Sequence, residues 1–122
     1  MFQQDDMKRQ AKDTIHFLSK TLLKKKPEPY QIPAAGEPFT TVDFLYEEMD
    51  RHLRNGEINE AENILFDRAE PGNLQYLSLA LSFYAQINDL AYDYLISRNY
   101  TPEEIKEGLD DIADMFGVVL PN

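Results

Sequence analysis

Two histidine–carboxylate pairs are the features of this sequence whose spacing best suits a metal ion. Asp13 and His16 stand three residues apart, and Glu48 and His52 stand four apart. On a helix either spacing places both side chains on one face, where two ligands of a metal would lie. A metal site needs three or four ligands, and neither pair has the others nearby. We therefore interpret both as solvated helix pairs, with His52 half-buried, and predict no bound metal or cofactor.

A group of carboxylates near the C-terminus is the second candidate. Paired carboxylates can transfer protons or hold Mg²⁺. Most of these side chains lie off the apolar stripe of their own helix, which favours a solvated charged face; a docking surface for a basic partner is the alternative. The group comprises Glu103, Glu104, Glu107, Asp110, Asp111 and Asp114, and the stripe comprises Ile105, Leu109, Ile112 and Phe116.

Other catalytic signatures are missing from the sequence. There is no cysteine, which excludes disulfides, thiolate metal sites and a cysteine nucleophile. No glycine-rich phosphate loop, GxSxG elbow or HExxH pair occurs. We therefore predict no catalytic residue.

Positive charge is concentrated at the start of the chain. Residues 1–26 carry seven Lys/Arg and three Asp/Glu, a net charge of +4, whereas residues 27–122 carry five and nineteen, a net charge of −14. Such asymmetry bears on partners rather than on fold. The acidic part should repel nucleic acid, and the basic part should attract an acidic surface. The basic side chains that we single out as candidate partner-binding residues are Lys8, Arg9, Lys12, Lys20 and Lys24.

These cations are positioned by a predicted long amphipathic helix over residues 3–25, which Pro27 ends. Three roles are open to it: packing on the acidic part of its own chain, self-association as a homodimer, or docking on an external anionic surface such as a membrane or nucleic acid. The absence of tryptophan and of stacking aromatics beyond Phe17 argues against the last role. Its apolar stripe comprises Met7, Ala11, Ile15, Leu18 and Leu22.

The remainder of the chain predicts a linker and a helical domain. Residues 27–39 hold four prolines and a glycine, which indicates a stiff, extended linker. Residues 40–122 show short helical patterns and no convincing strand, so we predict an all-α fold. Thr40 or Thr41, Asn73 and Thr101 are the predicted N-caps, and Glu104 completes a capping box with Thr101.

Residues 71–88 contain no charged side chain. Eighteen residues would just span a membrane, but the segment opens with Pro71 and Gly72 and carries several polar side chains. We therefore predict a central helix of a soluble core. The N-terminus has no signal-peptide pattern, and we expect a cytoplasmic protein.

Aromatic residues cluster in the second half of the chain. Most of them should form core, but stacked helical hairpins commonly present a concave groove, and exposed tyrosines there would suit a peptide. The candidate partner-binding tyrosines are Tyr84, Tyr92 and Tyr94.

The segment Asn55-Gly56-Glu57-Ile58-Asn59-Glu60-Ala61 resembles the inter-helix turn of a tetratricopeptide repeat, with Gly56 making the turn and Ala61 allowing close approach of the helices. A loose overlay at a shift of 32 residues supports the likeness. Met49 departs from the family pattern, as do Asn88 and Asp93 in the second hairpin. The resemblance implies a compact array of antiparallel, tetratricopeptide-like hairpins preceded by the long helix.

The opening M-F-x-x-D-x-x-x-R-Q, followed by a long helix and a proline linker, is also similar to a small bacterial family without an assigned function. Taken together, these features predict a protein-interaction or self-assembly module. A small metal- or ligand-binding domain or enzyme using carboxylates is one alternative. A peripheral binder of anionic surfaces, acting through residues 8–26, is the other.

Overall fold

The computed structural model describes the backbone of residues 2–121 and the side chains of residues 5–121. Within this range all regular structure is helical, which confirms the all-α prediction. The helices are α1 (Phe2–Leu18), α2 (Thr41–Arg54), α3 (Ile58–Asp67), α4 (Leu74–Asn88), α5 (Tyr92–Ser97) and α6 (Pro102–Met115), with a π-helical turn at Ser19–Leu23 after α1.

Local capping signals begin three of these helices. Thr40 and Asp43 form a reciprocal capping box at α2, and Thr101 and Glu104 form another at α6. The Asn73 side chain accepts hydrogen bonds from the first turn of α4. These bonds satisfy backbone N–H groups that have no partner inside the helix, so the sequence predicted the starts of all three helices correctly.

Helix α4 lies at the centre of the fold. It packs against α1, α2 and α6, and side chains on most of its sides are fully buried. The prediction of a central, uncharged helix is therefore confirmed. Within residues 2–121, no helix combines the length and the hydropathy that crossing a membrane requires. The buried residues of α4 with no exposed area are Tyr76, Leu77, Ala80, Tyr84 and Ile87.

Helix α1 is an integral part of the bundle. Its residues Ala11, Ile15 and Leu18 are buried, and the helix packs against α4 and α6. Of the three roles considered for this helix, packing on its own chain is the one in the structure. Self-association of the chain stays a prediction.

Helices α2 and α3 form a hairpin around Gly56, whose φ of +76° suits a residue without a side chain. A Cβ there would also press on the Arg98 guanidinium. The expected second hairpin, formed by α4 and α5, is less developed. Helix α5 has only six residues, and α4 packs mainly against α1, α2 and α6. The pair α2 and α3 is thus the well-developed hairpin, and its tetratricopeptide likeness stays a prediction.

Candidate partner-binding groove

A groove lies between residues 19–29 and helix α4, and we call it the lysine groove. It encloses about 360 Å³ and is open along one side. Its lining is mainly apolar, with serine hydroxyls and the amide of Gln86 along α4 and two lysines on the opposite wall. The apolar lining residues are Leu23, Pro27, Pro29, Leu81 and Ala85; the charged ones are Lys25, Lys26, Glu28 and Asp89; the serines are Ser19, Ser78 and Ser82.

An irregular end of the first helix forms one wall of the groove. The α-helix ends at Leu18, the next turn is π-helical, and Lys24 then adopts a left-handed φ of 63°. The Ser19 hydroxyl donates a hydrogen bond to the Lys25 carbonyl at 2.7 Å and so ties the turn together. The prediction of one regular helix over residues 3–25 is therefore wrong at its C-terminal end. Turns of this kind are frequent at functional sites.

Tyr30 anchors the rest of this wall. It is buried, its backbone N–H donates to the Ser82 hydroxyl at 3.0 Å, and its ring stacks on Tyr46. Its hydroxyl donates to Asp43 Oδ1 at 2.6 Å and accepts from Gln75. Residues 27–39 have neither helix nor strand, yet this one side chain fixes the segment against α2 and α4.

Asp43 receives these bonds as a buried carboxylate. Burial alone would raise the pKa of Asp43. The hydrogen bonds from the Thr40 backbone and the Tyr30 hydroxyl outweigh burial, so the pKa of Asp43 lies below its ordinary value. Burial and the hydrogen bond to Asp43 raise the pKa of the Tyr30 hydroxyl, although hydrogen bonds with Gln75 and Thr40 partly offset this. Asp43 is therefore a charged acceptor that caps α2 and holds the groove wall at once.

The groove lies beside a cluster of exposed lysines: Lys20, Lys24, Lys25 and Lys26. Lys25 pairs with Glu28 at 2.7 Å. Among residues 5–121, the structure records no ion pair for the other three. Positive charge is thus available at this groove on a chain whose net charge is −10.

Comparison with known proteins places the whole chain in one family. A family model described as a family of unknown function, DUF6483, matches residues 1–117. The chain belongs to DUF6483. No curated protein and no solved structure matches it significantly. The prediction that the chain is similar to a family without an assigned function is confirmed, while the bacterial origin and the tetratricopeptide likeness stay predictions.

The predicted basic residues of this DUF6483 chain divide into two groups. Lys20 and Lys24 are exposed and belong to residues 19–29, the segment that forms one wall of the groove, but they are not among its lining residues. Lys8 has an internal role: its ammonium donates to the Leu90 carbonyl at 3.1 Å, and Asn88 donates back to the Lys8 carbonyl at 3.0 Å. The prediction that Lys8 is held out for a partner is therefore corrected, because it links α1 to the end of α4.

The other two cations lie on the exposed side of α1. Arg9 pairs with Asp6 on the same helix. Lys12 is exposed, with no ion pair recorded among the described side chains. Neither residue lines the lysine groove. None of the five predicted cations therefore lines the groove; its lysines are Lys25 and Lys26, which the sequence did not single out.

The predicted tyrosines do not form an exposed patch. Tyr84 is fully buried, so its proposed place on a peptide-binding surface is wrong. Its hydroxyl donates to Glu62 at 2.5 Å, beside a second bond from Tyr100 at 2.9 Å. Tyr92 and Tyr94 are partly buried, and the Arg98 guanidinium lies 5.3 Å from the centre of the Tyr94 ring. Such a cation–π contact makes Tyr94 part of the α5 packing.

Glu62 joins α3 to two other elements through these tyrosines. Burial raises the pKa of Glu62, and the carboxylates of Glu104 and Asp111 raise it further, although the two tyrosine hydroxyls partly offset this. A cavity of about 170 Å³ separates Glu62 from α6. Glu62 is thus a partly buried carboxylate that links these elements.

The histidine–carboxylate pairs do not assemble into sites. His52 Nδ1 lies 2.8 Å from Glu57, while Glu48 pairs with Arg68 at 2.7 Å. Asp13 and His16 are both exposed. Within residues 5–121, no three metal-ligating side chains cluster.

The sequence did not predict the groove. Residues 19–29 were divided between a regular helix and a free linker, and neither part carries a local signal for a cavity. A tyrosine among prolines, at Tyr30, was the one clue that the linker docks on the bundle.

Proposed function

We propose that this chain is a protein-interaction module without catalytic activity of its own, and that it binds its partner in the lysine groove. The observation that carries the proposal is the groove's composition: an apolar floor beside exposed lysines, of which Lys26 has no ion pair among the described side chains. Concave apolar surfaces with a few polar groups at the edge are typical binding sites.

The use of the other polar side chains supports binding rather than chemistry. Within residues 5–121, every buried side-chain nitrogen or oxygen has a hydrogen-bond partner. Asp43 holds a cap and the groove wall, and Glu62 accepts from two tyrosines. These two carboxylates are therefore engaged in structure.

A comparative capture experiment tests the proposal. Immobilised wild-type protein is compared with Ala85→Trp, which fills the groove, and with Ala35→Trp, which adds the same side chain at an exposed position outside it. Thermal unfolding first establishes that all three are folded. We expect a protein that wild type and Ala35→Trp retain from a lysate of the native host and that Ala85→Trp does not.

Two results would count against this function. Retention of the same proteins by all three variants would place binding elsewhere. Stoichiometric metal in the purified protein, or no retained protein at all, would favour the alternative of a small ligand-binding domain.

A further inference from the structure

We propose that the lysine groove recognises an extended segment of a partner protein, about five residues long, in which an acidic side chain stands next to a large apolar one. This inference rests on the proposed function and specifies the chemistry of the partner. Four properties of the groove support it: its length, its shape, its apolar floor and its charge.

The length of the groove sets the length of the segment. Its α4 wall runs from Ser78 to Asp89. At 1.5 Å per residue this wall is about 16 Å long. An extended chain advances about 3.3 Å per residue, so about five residues lie along the groove.

The shape of the groove favours an extended chain over a helix. A helix about 10 Å across could place only one edge in a groove that is open along one side, whereas a thinner extended chain can lie along it. An open side also distinguishes the groove from sites for small molecules, which bury roughly 70–90% of their ligand. The fit is therefore to a thin polymer that leaves one side in solvent.

The floor requires an apolar side chain. Leu81 of α4 is nearly buried, and Leu23 and Ala85 are half-buried. Pro27 and Pro29 stand opposite, and neither has a backbone N–H to pair with an added strand. Recognition must therefore come from side-chain burial, with one large apolar residue as the anchor.

The lysines require an acidic neighbour. The charged lining residues balance in number, Lys25 and Lys26 against Glu28 and Asp89. The excess positive charge comes from the exposed lysines at positions 20 and 24 of the wall segment. Residues 27–122 have a net charge of −14, which repels an acidic segment from most other surfaces. Charge therefore directs an acidic segment to this groove.

Selection from a phage library of random linear peptides tests the inference directly. Wild type should enrich peptides with Asp or Glu next to Leu, Ile, Phe or Trp. The double variant Lys25→Glu/Lys26→Glu should enrich Lys or Arg at the same place, whereas the control Lys106→Glu, on α6, should select as wild type does. Only a direct contact predicts this reversal of charge.

The selected peptide, made with a fluorescent label, then gives affinities by anisotropy. Lys26→Glu should weaken binding by up to about fivefold, since an exposed ion pair contributes about 1 kcal/mol. Added salt should weaken wild-type binding and have less effect on the variant. Ala85→Trp should abolish binding, and Ala35→Trp should leave it unchanged.

Several outcomes would overturn the inference. Peptides without acidic residues, or peptides that bind Ala85→Trp normally, would contradict it. Lysine-dependent binding to vesicles of phosphatidylcholine and phosphatidylglycerol, with no enriched peptide, would identify a membrane surface as the partner. If no peptide is enriched but Ala85→Trp still loses a protein in the capture experiment, the proposed function stands and this inference fails.

Discussion

The helix bundle of residues 40–115 and the groove wall of residues 19–30 are stabilised in different ways. In the bundle, capping boxes begin α2 and α6, and apolar residues at helical spacing form the faces that pack. In the groove wall, a π-helical turn and a left-handed lysine are held by bonds from Ser19, Tyr30 and their partners. We therefore expect the shape of the wall to depend on each of its few polar contacts more than the shape of the bundle does.

The largest expected effect is in the bundle. A Cβ at Gly108 of α6 would overlap the Tyr84 hydroxyl and ring. Alanine is the better helix former by about 1 kcal/mol, but overpacking at this contact should outweigh that gain, so Gly108→Ala should lower the free energy of unfolding by about 2 kcal/mol. Urea denaturation measures it, with exposed Glu107→Ala as the control. A more stable Gly108→Ala would show that α4 and α6 lie further apart.

The second largest expected change in stability is in the groove wall. Tyr30→Phe removes a hydroxyl that donates to a charged, buried carboxylate, so it should cost about 1.5 kcal/mol. Hydrogen exchange should accelerate mainly around residues 26–33 and not in α6. Uniform acceleration across the chain would contradict the distinction between the wall and the bundle.

The same variant has a defined pH dependence. The pKa of Asp43 is lowered in the folded protein, so its contribution to stability is present above the unfolded pKa of about 3.9 and is lost as pH falls through the lower folded pKa. The stability difference between wild type and Tyr30→Phe should therefore be full at neutral pH. It should shrink in strong acid, and a constant difference would show that Asp43 is not the acceptor that matters.

The contribution of Glu62 to stability should depend on pH in the opposite direction to that of Asp43. Its folded pKa is raised by burial, so its contribution to stability is full below the unfolded pKa and is lost as pH rises through the folded pKa. Glu62→Gln keeps an acceptor for Tyr84 and Tyr100 but removes the charge. At neutral pH it should equal or exceed wild type by up to about 1 kcal/mol, since solvent screens this half-exposed group.

Denaturation of Glu62→Gln and wild type across pH 4 to 7 measures that difference. The free energy of unfolding of Glu62→Gln should rise relative to that of wild type as pH rises. Glu62→Ala is the matched control, because it leaves both tyrosine hydroxyls without their acceptor and should be destabilised at every pH. A Glu62→Gln protein that is less stable at neutral pH would show that the charge itself is favourable.

The sequence predicted the bundle better than the groove, and the reason is the range of the signals. The side chains of Thr40, Asn73 and Thr101 accept hydrogen bonds from residues two or three positions away, so the neighbouring sequence indicates their capping role. Tyr30 contacts residues up to 52 positions away, and Lys8 bonds 82 positions away. Nothing in the residues beside them indicates those partners. Tyr84 was misplaced for a related reason: an apolar helix does not reveal which side faces solvent.

The smallest predicted effect tests whether the irregular turn is intrinsically strained. Lys24 has a φ of 63°, a conformation that costs a residue with a Cβ roughly 1 kcal/mol and glycine almost nothing. Lys24→Gly should therefore stabilise the protein by about 0.5 kcal/mol, because glycine's greater freedom in the unfolded chain offsets part of the gain. The control is Lys20→Gly, inside the π-helical turn, which removes the same charge and should destabilise the protein. If Lys24→Gly also destabilises, the turn is held by its lysine side chain rather than by the Ser19 hydroxyl, and the groove wall would be formed by contacts of that side chain.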